Sequence, residues 1–229
     1  ISSSSFNKAE LLEKIRHFKK NGQPGVISKV STSKVRRIGK NPRKNIAILD
    51  LGITNSIIRQ LEALGFSLTI FPYNAGPKEI INSKAHGLVI SGGPEEVTAL
   101  SAVAENIRPL LGRFPVLGIG SGNLVLGIAF GAKIDKLKIG HRGVNYPVQY
   151  SGSFKGEITT QNHSFSVDGA TLMQFKDVKI TGYNLNDRTV EEIESRKLKV
   201  LGVQYNPVSP GNGEVNSVLK KFVKMLKRS

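Results

Sequence analysis

The sequence has 229 residues, 39% of them hydrophobic, and a formal net charge of +16. Its length suits one sizeable core, and no apolar run approaches the roughly 20 residues that cross a bilayer, so no transmembrane segment is expected. The absence of cysteine excludes disulfides and a cysteine nucleophile, and His17, His86, His141 and His163 lack metal-ligand spacing, so no metal or other cofactor is predicted.

Residues 1–44 are predicted to form a basic N-terminal region, with twelve Lys or Arg against two Glu. Residues 6–20 carry apolar side chains at helical spacing, and "NGQPG" ends this helix. Residues 28–44 are rich in cations with little apolar periodicity, which predicts an extended linker lying on a surface. The start at Ile1 instead of methionine is compatible with a processed targeting segment and an organellar location.

Residues 45–213 are predicted to form one α/β domain. Strands are predicted at 45–52, 67–73, 87–93 and 115–120, alternating with helices at 54–65, 76–84, 97–111 and 123–131. Continuous Ile, Val and Leu runs between glycine turns predict a mostly parallel central sheet with helices on both faces. After residue 132 the pattern changes to short pieces typical of antiparallel strands, which are expected to be added to this sheet.

Residues 214–229 are predicted to form a basic C-terminal helix, with five Lys or Arg against one Glu, whereas residues 45–213 have a balance of only +2. Charge concentrated at the ends predicts an acidic partner, such as RNA or an acidic protein surface, and solubility alone is the alternative. The residues predicted to contact a polyanion are Lys29, Lys34, Arg36, Arg37, Lys40, Arg43, Lys44, Lys220, Lys221, Lys224, Lys227 and Arg228.

The stretch "FPVLGIGSGNLVLGIAFGA", residues 114–132, combines an apolar strand, a glycine-rich turn and the start of a helix. This is the pattern of a nucleophile elbow, in which the helix N-terminus offers backbone amides to an oxyanion. A glycine-rich turn without chemistry has the same pattern. Local sequence alone leaves both interpretations open.

Further motifs favour one family. "VISGGP", "VLGIGSGNLVLGIAFGAK", "KLKIGHRGVNYPV", "ITTQNHSFSVD" and "VQYNPVSPG" resemble, in order and spacing, the class I glutamine amidotransferase domain of the carbamoyl-phosphate synthetase small subunit. The resemblance runs from about Val26 to the C-terminus and implies a flavodoxin-like core. In the family, an elbow cysteine attacks the glutamine amide, with a histidine as base and a glutamate that orients it.

By this resemblance the cysteine position is Gly120, the histidine position Asn206 and the glutamate position Val208. No catalytic residue is therefore predicted, and the chain is expected not to be an enzyme. Ser121 follows the nucleophile position and lacks a base from the expected motif. The resemblance further implies a vestigial oxyanion and substrate pocket, made of Gly93, Ser121, Leu124, Asn162, Ser164 and Phe165, in which a carboxylate at Glu95 would crowd a bound amino acid.

Three functions follow as hypotheses. The first is an inactive amidotransferase-like subunit of a larger protein or ribonucleoprotein assembly, for example an organellar ribosome, whose basic ends dock on RNA or another acidic partner. The alternative is a partner similar to the carbamoyl-phosphate synthetase small subunit, which supports an ammonia-dependent synthetase by holding its large subunit. The third, a working glutaminase or other hydrolase, is disfavoured by the residues at the triad positions.

Overall fold

The computed structural model describes residues 3–21, 25–41 and 44–227, with the side chains of residues 18–21 outside that description. The helices are α1 (Lys8–Asn21), α2 (Val26–Val30), α3 (Asn55–Ala63), α4 (Pro77–Asn82), α5 (Val97–Ile107), α6 (Ser121–Ala129), α7 (Gly169–Leu172) and α8 (Ser217–Leu226). The strands are β1 (Arg36–Ile38), β2 (Asn45–Asp50), β3 (Ser67–Pro72), β4 (Gly87–Ile90), β5 (Val116–Ile119), β6 (Ile134–Tyr150), β7 (Gly156–Val167), β8 (Lys179–Asn184), β9 (Val190–Ser195) and β10 (Val200–Val203).

All ten of these strands join one sheet in the order β1-β3-β2-β4-β5-β10-β9-β8-β6-β7. The five strands from β3 to β10 are mutually parallel. The remaining neighbours, from β9 to β7 and at β1, pair antiparallel. The predicted fold class is confirmed: a parallel central sheet extended by antiparallel strands.

Helices cover both faces of the parallel strands, as the unbroken apolar runs predict. On β2, Ala47 and Leu49 face the cluster that contains α5 and α6. Ile46 and Ile48 face the opposite cluster, which contains side chains of α3 and α8. Successive residues of one strand therefore feed two cores, so each strand needs apolar side chains at every position.

The segment predicted as an extended linker differs from that expectation. Its first residues, 28–30, belong to the short helix α2, which starts before the segment and whose Ile27 is fully buried among side chains of the α5 and α6 face. The Glu96 carboxylate accepts hydrogen bonds from the backbone N–H of Gly25 (2.8 Å) and Ile27 (3.4 Å), which holds the helix start. Farther along, β1 pairs with β3 as the edge strand. Local periodicity missed these elements because their contacts come from residues distant in sequence.

The C-terminal helix also packs on the domain. Phe222 and Leu219 of α8 are fully buried and contribute to the core shared with α3. The side chain of Asn216 caps the helix by accepting a hydrogen bond from the Val218 N–H at 2.9 Å. Across the described residues, no helix is long and apolar enough to span a membrane.

Candidate functional site

A cleft of about 610 Å³ opens at the carboxyl ends of the central strands. Its walls are formed by residues 52–57 after β2, residues 91–95 after β4 and Ile119 at the end of β5. Arg142, Thr160 and Asn162 close one side from β6 and β7, and residues 206–208 after β10 close another. Ligand sites of open α/β sheets lie at this edge, where loops from several strands converge.

The turn from β5 to α6, beside this cleft, has a backbone conformation that favours glycine. Gly120 adopts φ 54° and ψ −113°, and its N–H donates to the Val203 carbonyl at 2.8 Å. Its own carbonyl accepts from the N–H groups of Asn123 and Leu124 and so starts α6. A Cβ at residue 120 would lie 3.7 Å from the Gly92 Cα, which is ordinary contact. The structure therefore has the strand, turn and helix of an elbow, with a glycine at its tip.

Two of the three positions assigned to the family's triad line this cleft. Asn206 and Val208 line it, and both side chains are exposed. The Asn206 N–H donates to the Thr160 carbonyl at 2.9 Å, which ties this loop to β7. Gly120, the third, follows the lining residue Ile119, and a Cβ added to it would lie 3.8 Å from the Gln204 carbonyl oxygen.

The residues predicted as a pocket divide into two groups. Gly93 and Asn162 line the cleft. Ser121 and Leu124 do not: Ser121 is buried, and its hydroxyl donates to the carbonyls of Gly93 (2.5 Å) and Pro94 (3.2 Å), while Leu124 lies in the core. The Ser121 hydroxyl therefore holds the 93–94 loop. Leu124 is a core packing residue and does not contribute to the cleft.

Ser164 and Phe165, the other predicted pocket residues, present their backbone N–H groups to the Glu95 carboxylate. Glu95 Oε2 lies 2.7 Å from the Ser164 nitrogen, and Oε1 lies 3.3 Å from the Phe165 nitrogen. Arg142 donates from Nη2 to the Ser164 hydroxyl at 2.6 Å. Burial raises the pKa of Glu95, and the hydrogen bond from Ser164 opposes this shift only in part.

A second polar cluster joins β6, β7 and β9 beside the cleft. His141 and His163 lie opposite each other in the β6–β7 register and are both buried, as is Glu191 of β9. Sequence spacing missed this pair because 22 positions separate residues that an antiparallel pairing places side by side. Gln161 Oε1 lies 2.8 Å from His141 Nδ1 and 3.1 Å from His163 Nε2.

The imidazole of His141 lies between two carboxylates. Its Nε2 is 2.9 Å from Asp187 Oδ2, and its Nδ1 is 3.5 Å from Glu191 Oε1. Burial lowers the pKa of His141, but hydrogen bonding to Glu191 and Asp187 outweighs burial and the pKa is raised. Burial raises the pKa of Glu191, yet the hydrogen bonds from His141, His163 and Asn184 leave it lowered.

His141, His163 and Glu191 are the described group that could hold a metal ion, since their ligand atoms lie within 4.8 Å of one another. Gln161 Oε1 is within hydrogen-bond distance of both facing imidazole nitrogens. The Asn184 amide donates to Glu191 Oε1 at 3.1 Å. These amides join the two histidines and Glu191 in one hydrogen-bonded network, which ties β6, β7 and β9 together.

The described cations predicted to bind a polyanion are exposed. Lys221 already forms an ion pair, since its Nζ lies 2.8 Å from Glu194 Oε2. Arg43 and Arg228 lie outside the described residues. Polyanion binding by this set stays a prediction.

Comparison with known proteins identifies related sequences and folds. The model of the family "Glutamine amidotransferase class-I" matches residues 47–226. The carbamoyl phosphate synthase small chains of Syntrophotalea carbinolica and Akkermansia muciniphila are 36% and 39% identical, over 82% and 81% of this chain and 50% of each relative. That of Methanopyrus kandleri is 33% identical over 94% of this chain and 60% of its own length. The chain therefore spans about half to three fifths of these relatives.

A solved structure shares the fold. A putative GMP synthase subunit from Thermoplasma acidophilum superposes with a TM-score of 0.67 at 20% identity, covering 81% of this chain and 94% of its own. The resemblance stated from the sequence motifs is confirmed by the family model and the small-chain relatives.

Two sequence-based predictions need revision. The prediction that the protein is not an enzyme is wrong, because the class I glutamine amidotransferase model matches residues 47–226 and the relatives are small chains of carbamoyl phosphate synthase. It rested on Gly120, Asn206 and Val208 alone, whereas the family model matches residues 47–226. The predicted role on RNA or in a ribosome gains no support from these relatives, which favour the alternative of a synthase small chain.

Proposed function

Because the chain belongs to the class I glutamine amidotransferase family, we propose that it acts as the small-chain component of a carbamoyl phosphate synthase. The observation that carries the proposal is the match to small chains over 81% to 94% of this chain. The relatives' name implies a larger partner chain, so the proposed partner is the large chain of the synthase. In this proposal the enzyme is the assembled synthase, and this chain is one of its components.

We further propose that this synthase takes ammonia as its nitrogen donor. A thiolate is the nucleophile that the family resemblance implies, and this sequence contains no cysteine. The Ser121 hydroxyl is engaged by two backbone carbonyls of the 93–94 loop. The small chain then contributes by binding and stabilising the large chain, and free ammonia enters the reaction directly.

The test is co-expression of the tagged chain with the carbamoyl phosphate synthase large chain of the same organism. The two chains are expected to co-purify, and the complex is expected to form carbamoyl phosphate from ammonium, bicarbonate and ATP. Glutamine in place of ammonium is expected to give no product above the background without a nitrogen donor.

Two results would argue against the proposal. Failure of the two folded chains to associate would remove the small-chain role. Glutamine-supported synthesis that disappears in Ser121→Ala would keep the small-chain role and refute the dependence on ammonia. A matched Ser101→Ala variant, which removes a hydroxyl bound to the Val97 carbonyl within α5, controls for loss of a serine.

A further inference from the structure

Two adjacent backbone amides hold the carboxylate of Glu95, a residue that lines the cleft. The N–H groups of Ser164 and Phe165 both point to the Glu95 carboxylate, one to each oxygen, at 2.7 and 3.3 Å. Two N–H donors aimed at the two oxygens of one carboxylate give charge-assisted hydrogen bonds with defined geometry. Glu95 and Arg142 line the same cleft, so the site faces the space that a ligand would enter.

We infer that Glu95 is a specificity-determining residue that occupies this carboxylate site from within the chain and thereby excludes free amino acids from the cleft. The inference deepens the proposed function, on which its biological meaning rests. An amino acid entering the cleft brings its own carboxylate and has to displace Glu95 from both amides. The intramolecular carboxylate is always present at a high effective concentration, so displacement is unfavourable.

The electrostatics of the site support this assignment. Glu95 is half-buried, and this burial raises the pKa of its carboxyl group, while the hydrogen bonds from the two amides and the positive charge of Arg142 favour the carboxylate. A second anion beside it would meet repulsion in a partly desolvated cleft. With Glu95 removed, the amides and Arg142 would be left to attract a carboxylate from solution.

The neighbouring glutamate provides a matched control. Glu96 also accepts hydrogen bonds from two backbone N–H groups, those of Gly25 and Ile27, but it does so outside the cleft and holds α2. Removal of Glu96 takes away the same charge and a comparable pair of hydrogen bonds. It leaves the Ser164 and Phe165 amides occupied by Glu95.

The experiment is calorimetric titration of the purified protein with L-glutamine and with L-glutaminol, which lacks the carboxylate. Glu95→Ala is expected to bind L-glutamine about tenfold or more tightly than the parent, and to show no such gain for L-glutaminol. Glu96→Ala is expected to bind like the parent. Binding of L-glutamine by folded Glu95→Ala that is no tighter than in the parent would overturn the inference, as would equal gains for both ligands.

A measurement on the parent protein covers the case in which Glu95→Ala does not fold. The amide nitrogen and proton shifts of Ser164 and Phe165 are followed by NMR as pH is lowered through the titration of Glu95. Both signals are expected to move together with one apparent pKa above the ordinary glutamate value. Signals that do not move would show that the contact is absent and would overturn the inference. Neither experiment needs the large chain, so this outcome is separate from the fate of the proposed function.

Discussion

Two glycines beside the cleft differ sharply in the space around them. A Cβ at Gly93 would lie 1.8 Å from the Leu51 carbonyl oxygen, a backbone atom that cannot rotate away. Gly93→Ala therefore forces the backbone at Leu51, just after β2, away from the 92–95 loop, and it is expected to lower the free energy of unfolding by about 3 kcal/mol or more. Urea denaturation followed by circular dichroism measures the loss.

Gly120→Ala is the matched comparison. Its Cβ would meet the Gly92 Cα at 3.7 Å and the Gln204 carbonyl oxygen at 3.8 Å, both ordinary contacts. Only the backbone strain at φ 54° remains, and it is expected to cost about 1 to 2 kcal/mol. Equal losses in the two variants would contradict the packing described for Gly93. A smaller loss at Gly120 means that the elbow still accepts a side chain.

Individual residues of the candidate site could be predicted from the sequence more readily than the hydrogen bonds between them. The resemblance assigned the triad positions to Gly120, Asn206 and Val208; the last two line the cleft, and a Cβ at Gly120 would lie 3.7 Å from the Cα of Gly92 in its wall. It also predicted that Glu95 would crowd a ligand. The hydrogen bonds from Ser164 and Phe165 to Glu95 join residues about 70 positions apart, and no local pattern encodes such a contact.

At the level of strands, the His141 cluster predicts a characteristic pH dependence. The pKa of His141 is raised in the folded state, so its contribution to stability is fully present below the unfolded value of about 6.5 and is lost as pH rises through the folded value. The pKa values of Asp187 and Glu191 are lowered, so their contributions are present above about 4.3 and are lost as pH falls through the folded values.

The difference in unfolding free energy between the parent and His141→Gln isolates this cluster from other titrating groups. It is expected to be largest between about pH 4.5 and 6.5, to reach about 2 kcal/mol there, and to shrink on both sides. Urea denaturation over a pH series provides the values. His86→Gln, a change at an exposed histidine before β4, is the control. A difference that stays constant across the series would refute the charged network.

Sequence patterns predicted elements best where contacts are short-range and repeated. The strands from β2 to β5 and their helices follow from apolar runs and glycine turns, because each strand is buried on both faces. The α2 helix could not be predicted in this way. It has five residues, and its stability depends on the Glu96 carboxylate and on burial of Ile27 in a distant core.

In the whole molecule, the two basic terminal regions pack on the nearly neutral domain between them, although their charge sets them apart from it in sequence. Residues 1–44 and 214–229 carry most of the net positive charge. Even so, Ile27 and Phe222 from these two ends are fully buried in the cores of the sheet. The exposed lysines and arginines therefore lie on segments that are anchored by apolar side chains. A partner that binds these lysines and arginines would therefore bind a surface of defined shape.

The division of the chain at residue 44 remains a prediction, and two deletions test it. Removing residues 1–24 takes away α1, whose described side chains from residue 3 to 17 are half-buried or exposed. This deletion is expected to change the free energy of unfolding by less than about 1 kcal/mol. Removing residues 1–44 also takes away Ile27 and the edge strand β1. Burial of one isoleucine contributes about 2 kcal/mol, so the total loss is expected to exceed that value.

The two deletions also separate charge from folding. Residues 25–44 contain seven Lys or Arg and no Asp or Glu, whereas residues 1–24 contain five against two Glu. A third variant, with Lys29, Lys34, Arg36 and Arg37 changed to Gln, removes exposed charge while Ile27 and the β1 backbone stay in place. Urea denaturation is expected to show parent-like stability for this variant and a clear loss for the deletion of 1–44. Equal stability of all the variants would mean that residues 25–44 contribute nothing to folding, as expected of the extended linker predicted for residues 28–44.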